Sequence, residues 1–253
     1  MSTTTQKKKK KKPELLRPTG VGLSVKLYKY EGTKSNAAQI ATALKKVKYA
    51  PESKQHAGAG FTKVSATGKT VQGEIIAGFK VPILTYGSGG RLETVHYISV
   101  SKAQVLVKTG KGTVEVRGSE RIARKFQMLL EEHTGAKLTP LNLNSEAVKE
   151  VYGAATDIAS VMLSGVERGN LTQAEFRGIS IKNEAEIGLY TRKYRGEISR
   201  FRGTFPYPSG AQHTTTVNAD LGSLMIYRSG EGIAEKDLNW IVGLMEDAAL
   251  NHG

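Results

Sequence analysis

The sequence predicts an α+β protein in which a strand–helix–four-strand–helix (β-α-β4-α) unit occurs twice, forming a curved antiparallel sheet with its helices on one face. Three observations lead there. Short segments rich in Val, Ile, Thr and Tyr alternate apolar and polar residues with the period of two expected of strands. Apolar stripes at helical spacing interrupt them. The order of these elements recurs after about residue 135, as an internal repeat would. The expected divisions are a disordered basic tail at 1–18, a first unit at 19–135 and a second at 136–253.

Val21, Leu23, Val25 and Leu27 alternate with Gly22, Ser24, Lys26 and Tyr28, which marks the opening strand. Ala37, Ile40, Ala41, Leu44 and Val47 then recur at helical spacing and end before Pro51. From Phe61 to Arg117, turn signals at Thr67-Gly68, Gly87 to Gly90 and Thr109 to Gly112 divide a meander of four or five strands. Ser119 is placed to cap a helix carrying Ile122, Phe126, Leu129 and Leu130, which stops at Gly135.

The second unit opens on the short apolar piece Leu138 to Leu143. Val148, Val151, Ala155, Ile158 and Met162 predict one long helix from Asn144 or Ser145. Strands are expected at Leu171–Ile181, Glu186–Lys193, Glu197–Phe205, His213–Ala219 and Ser223–Tyr227. A closing helix over Ile233–Leu250 gathers Leu238, Ile241, Val242, Met245 and Ala248 on one face, and Trp240 beside that stripe reads as a core or interface anchor.

Of the 253 residues, 37 are Lys or Arg and 23 are Asp or Glu, a net charge of +14, while 39% are apolar, enough for a proper core. Lys7, Lys8, Lys9, Lys10, Lys11, Lys12 and Arg17 stand against Glu14 alone in the tail, a net +6 that leaves +8 on residues 19–253. Such a surplus favours polyanionic partners, because each phosphate neutralised by Lys or Arg releases a condensed counterion. With no cysteine there is no disulfide framework, thiolate metal site or cysteine nucleophile. No apolar run approaches the ~20 residues of a membrane helix. The expectation is a cytoplasmic protein, with the nucleus as a second location and no membrane partner.

The segment Val105-Leu106-Val107-Lys108-Thr109-Gly110-Lys111-Gly112-Thr113-Val114-Glu115-Val116-Arg117-Gly118, running into the helix from Ser119 to His133, resembles the TATA-box-binding-protein family. There an apolar strand, a Gly-Lys hairpin, a second strand and a basic-aromatic amphipathic helix follow in this order. Val47-Lys48-Tyr49-Ala50-Pro51 is similar to the family's aromatic-X-Pro exit from its first helix, and Tyr227-Arg228-Ser229-Gly230 occupies the corresponding final hairpin. The resemblance implies a saddle-shaped sheet with a nucleic-acid face. It places Val107 and Tyr227 where family members carry the apolar rings that wedge into minor-groove steps.

Strand alternation sets Lys26, Tyr28 and Tyr30 on one face of the opening strand. It sets Tyr190, Arg192 and Tyr194 opposite Ile187, Leu189 and Thr191. Between Gly188 and Phe205, Arg192, Lys193, Arg195, Arg200 and Arg202 face only Glu197. Guanidinium groups bind phosphate and aromatic rings stack on bases, so these residues, Arg200, Arg202 and Tyr227 form the expected nucleic-acid surface, with the lysine tail as an accessory arm.

Gly87 to Gly90 lacks the Gly-Lys-Ser/Thr of a phosphate loop, and the five histidines show no metal-ligand spacing. No nucleophile elbow is present. No catalytic residue, metal or cofactor is therefore expected. The leading expectation is a non-enzymatic protein binding DNA or RNA. Two other classes stay open: a ribosome-associated or other nucleoprotein assembly factor that dimerises through its helices, and an enzyme with a cavity between sheet and helices.

Overall fold

The computed structural model describes residues 15–18, 20–32, 36–50, 57–228, 230 and 232–253, so Lys7 to Lys12 of the basic tail lie outside the described residues. In chain order the elements are β1 (Leu15–Leu16), β2 (Gly22–Glu31), α1 (Ala37–Lys46), β3 (Ala59–Thr67), β4 (Thr70–Tyr86), β5 (Leu92–Lys108), β6 (Thr113–Arg117) and α2 (Glu120–Thr134). They continue with β7 (Lys137–Pro140), α3 (Ser145–Ala154), β8 (Asp157–Arg168), β9 (Leu171–Arg177) and the 3-10 turn Ile181–Asn183. Then come α4 (Ala185–Lys193), β10 (Glu197–Thr204), β11 (Thr214–Asn218), β12 (Ser223–Tyr227), β13 (Ile233–Ala234) and α5 (Glu235–Asn251). The fold is α+β. None of its helices is long and apolar enough to cross a membrane, among the described residues.

One antiparallel sheet runs β3-β4-β5-β6-β2-β12-β11-β10-β8-β9, with β7 continuing alongside β2 beyond the end of β12. The first half keeps the order β-α-β4-α. The second departs from it, with five strands of the large sheet after α3, α4 inserted between β9 and β10, and β9 rather than β8 at the outer edge.

Several local signals decide these elements. Asn36 and Gln39 form a reciprocal capping box at the start of α1, and the Asn144 side chain accepts from the Ala147 amide to start α3. Gly135 ends α2 in the left-handed conformation, at φ 66°. Its Ile122, Phe126 and Leu130 lie on the sheet in a first core with Ile40, Leu44, Val71, Ile75, Val105, Val107, Val114 and Val116.

Two segments correct the sequence reading. The helix expected to run from Asn144 or Ser145 through Met162 stops at Ala154, and Ile158 and Met162 belong to β8. A register shift opposite Arg202/Gly203 lets Ile158 and Val161 both face the core, so a strand acquires the three-residue spacing of a helix. The strand expected over Glu186–Lys193 is instead α4, whose buried residues Ile187 and Tyr190 are three apart, as one helical face requires.

The helices do not share one face, which corrects the expected layering. On β2, Tyr28 belongs to the core under α1 and α2, whereas Val25 and Leu27 join a second core with Val148, Val151, Leu238, Ile241, Val242 and Met245 of α3 and α5. Alternate residues of one strand point to opposite faces, so α1 and α2 cover one side of the first half, and α3, α4 and α5 cover the other side of the second. β2 and β6 are buried on both sides. Each half leaves its opposite face open.

Arg117 on β6 shows how the two halves are tied. Its Nε meets Glu115 Oε1 at 2.5 Å, and its guanidinium reaches Glu235 at 2.6 Å and Asn239 at 3.2 Å, both on α5. Further along α5, buried Glu246 receives Lys108 at 2.8 Å, Lys111 at 2.9 Å and the Thr113 hydroxyl at 2.9 Å. The polar half of the β6 alternation thus meets a helix rather than solvent.

Beyond the body of the sheet, β4 and β5 continue as a two-stranded ribbon. Nine rungs, from Gly78–Val100 to Tyr86–Leu92, pair with each other, and beyond the Gly78 amide, which donates to the Gly58 carbonyl at 2.8 Å, only with each other among the described residues.

Candidate nucleic-acid interface

The open face of the second half is built by strands whose inward residues form the core. Phe201 and Gly203 on β10, Thr215 and Val217 on β11, and Leu224 and Ile226 on β12 are buried beneath α3 and α5. Their neighbours must point the other way. Cross-strand register assembles these into two adjacent rows: Ser24, Met225, Thr216, Arg202, Ser160 and Arg177 in one, and Lys26, Ser223, Asn218, Arg200, Met162 and Glu175 in the next. Gly203 permits the close approach of β8 at the bulge, since a Cβ there would lie 2.4 Å from the Asp157 carbonyl oxygen.

The Arg202 guanidinium carbon stands 4.6 Å from the centroid of the Tyr227 ring, a cation–π stack, and the Thr216 hydroxyl lies 3.4 Å from the Tyr227 hydroxyl. Glu175 is 3.0 Å from Arg177 and 3.9 Å from Arg200. The hydrogen bond from Arg177 holds the Glu175 carboxyl below the usual carboxylate range, so near neutral pH it remains charged. Three guanidinium groups therefore outnumber one carboxylate around a shallow depression of about 300 Å³ lined by Ser160, Glu175, Arg177, Arg200, Arg202 and Tyr227. On its first-half side this face ends at α2, where Glu120 pairs with Lys26 and with Arg124.

Arg200, Arg202 and Tyr227 are thus brought together as one surface. Of the other six expected residues only Lys26 reaches this face, at the end of the second row, because α2 covers the rest of its strand's side and the Tyr190–Tyr194 segment is helical. Lys26, Tyr28 and Tyr30 do share a side of β2, but it is the side roofed by α2: Lys26 is ion-paired to Glu120, and Tyr28 is buried with its hydroxyl pushed up to about 12, mainly by desolvation. Tyr30 is half-buried, and burial raises its hydroxyl too.

Tyr190, Arg192 and Tyr194 belong to α4 and its end, on the opposite side of the sheet. Tyr190 is buried, packs edge-on against Phe176 and Tyr194 at 5.2 Å each, and its hydroxyl receives Arg168. Arg192 is exposed, with its Nε donating to the Gly188 carbonyl at 3.1 Å. Val107, aligned by the family resemblance with a groove wedge, is buried beneath the first-half helices. Arg177 joins the surface although sequence reasoning passed over it; only the β8–β9 register, which places it opposite Ser160, connects it to Arg202.

A larger groove of about 760 Å³ separates α3 from α4 and is lined by Val148, Tyr152, Ile187, Arg192, Arg195 and Ile198, among others. Among the described residues, no three His, Asp or Glu side chains are grouped as metal ligands. No protein-family model and no curated protein matches this sequence.

Proposed function

We propose that this chain binds nucleic acid through the open face of its second half, with phosphates on Arg177, Arg200 and Arg202 and a base against Tyr227. One observation carries the reading: the helix-free face is occupied by a cross-strand cluster of arginines, with one guanidinium stacked on an aromatic ring. Guanidinium forks match phosphate oxygens, and a tyrosine ring offers a stacking surface to any base, so the recognition is of backbone and π-face more than of sequence. Binding, not catalysis, is the role, and the partner implies an intracellular setting. The β-α-β4-α order of the first half supports a TATA-box-binding-protein-like origin for that half, with the working surface displaced to the second.

The test is fluorescence anisotropy with labelled duplex DNA, single-stranded DNA and structured RNA across a salt series. Log affinity should fall linearly with log salt, and Arg202→Glu should weaken binding at least about tenfold and flatten the slope, because one phosphate contact is lost and a repulsion gained. Tyr227→Ser should weaken binding with little change in slope. Undetectable binding of all three probes at low salt would reject the reading, as would wild-type affinity in Arg202→Glu.

A further inference from the structure

Six of the thirteen large apolar side chains that stand exposed among the described residues lie on the β4–β5 ribbon: Ile83, Leu84, Tyr86, Leu92, Tyr97 and Val100, at 45–75% exposure. They occupy both of its faces. Leu84, Tyr86, Leu92 and Val100 project to one side and Ile83 and Tyr97 to the other, as the alternation along the Gly78–Val100 to Tyr86–Leu92 ladder requires. A solvated hairpin keeps at least one face polar, and an isolated two-stranded ribbon is marginally stable in water. This one also carries unpaired backbone on both outer edges among the described residues, since on one side pairing ends with the Gly78 amide donating to the Gly58 carbonyl and on the other β6 pairs no further than Gln104.

We propose that the ribbon is a self-association arm that docks on the ribbon of a second copy about a twofold axis. Three features select that occupant. At roughly 200 Å² of surface per large side chain, the four on one face expose on the order of 500 Å² per copy, an apolar centre that needs only a modest polar rim to reach the ~800 Å² per partner of a stable interface. Antiparallel pairing of like edges is self-complementary, as a twofold contact must be.

The third feature is charge. Residues 78–100 contain only Lys80, Arg91 and Glu93 as charged groups, a net +1 in a chain of +14, which leaves phosphate little to bind. Nine rungs reach about 30 Å from the body at ~3.3 Å per residue. That is several times the ~8 Å over which charge is felt at physiological salt, so two arms of only +1 each can meet while the basic bodies stay apart. The contact is separate from the arginine face and does not depend on it.

Sedimentation equilibrium of the full chain, without nucleic acid and at physiological salt, should give twice the 27.4 kDa of one chain at micromolar concentration. Leu84→Glu combined with Tyr97→Glu puts a carboxylate on each face of the arm and should weaken association by about 100-fold or more. A second variant, with residues 80–98 replaced by Asn-Gly, keeps the body and removes the arm. It should be monomeric, with an unchanged thermal melt. A monomeric wild type would overturn the proposal, as would a dimer that survives removal of the arm. So would a monomeric wild type whose arm drives binding to phosphatidylcholine–phosphatidylglycerol vesicles or to nucleic acid.

Discussion

Tyr190 and Tyr227 are both tyrosines beside an arginine, yet they do opposite work, and burial separates them. Tyr227 is half-buried on a helix-free face, where Arg202 lies across its ring and part of that ring meets solvent. Tyr190 is buried on the inner side of α4, with Phe176 and Tyr194 in edge contact with it and Arg168 on its hydroxyl. Removing the Tyr190 ring leaves a cavity bordered by the remaining aromatics, so Tyr190→Ser should cost about 3 kcal/mol of stability. Tyr227→Ser should leave the melting temperature nearly unchanged while lowering nucleic-acid affinity. Urea melts of the two variants, read beside their binding isotherms, check the assignment; equal destabilisation would contradict it.

At the level of elements, α5 meets β2 through apolar contact with Val25 and Leu27, but β6 and the turn before it through buried charge. Glu246 sits with its carboxylate between Lys108, Lys111 and the Thr113 hydroxyl; truncating it removes these three contacts but leaves Lys108 paired to Glu115 at 3.1 Å and Lys111 to Asp247 at 2.8 Å. Glu246→Ala should therefore destabilise the fold by roughly 2 kcal/mol, the loss of charge-assisted hydrogen bonds rather than of a whole ion pair. Glu146→Ala, which breaks an exposed ion pair to Lys149 on α3, should leave the chemical melt unmoved. The same elements show what the sequence makes legible. Gly135, Asn144 and the Thr109 to Gly112 turn are local signals, and the boundaries they set are the observed ones. β8 was disguised because Ile158 and Met162 stand four apart, a helical spacing, although they lie on opposite faces of the strand, and α4 because Ile187 and Leu189 also fit a period of two.

Across the whole molecule, helices on opposite sides of a single sheet leave two open faces of different chemistry, and a non-local register decides which residues meet on each. Arg200 and Arg202 are legible as a pair on one strand; their proximity to Arg177 and Tyr227 depends on strand order, which no local spacing encodes. The open face of the first half, on the other side of the sheet, carries Lys63, Ser65, Gln72, Glu74, Lys102 and Gln104. There Lys102 is 2.7 Å from Glu74, so half of its cationic charge is already spent internally, and no aromatic ring joins the group. A polyanion attracted only by the net +14 would sense both faces alike, whereas one bound by the arginine cluster would sense one. Charge reversal separates these cases at matched net charge: Lys63→Glu and Arg202→Glu each change the total by the same two units. Arg202→Glu should weaken nucleic-acid binding at least about tenfold at physiological salt, and Lys63→Glu no more than about twofold, the residual long-range effect of screened charge. Parallel anisotropy titrations on one labelled probe measure the ratio, and equal losses would mean that affinity resides in the overall field of the protein and not in the arginine–tyrosine face.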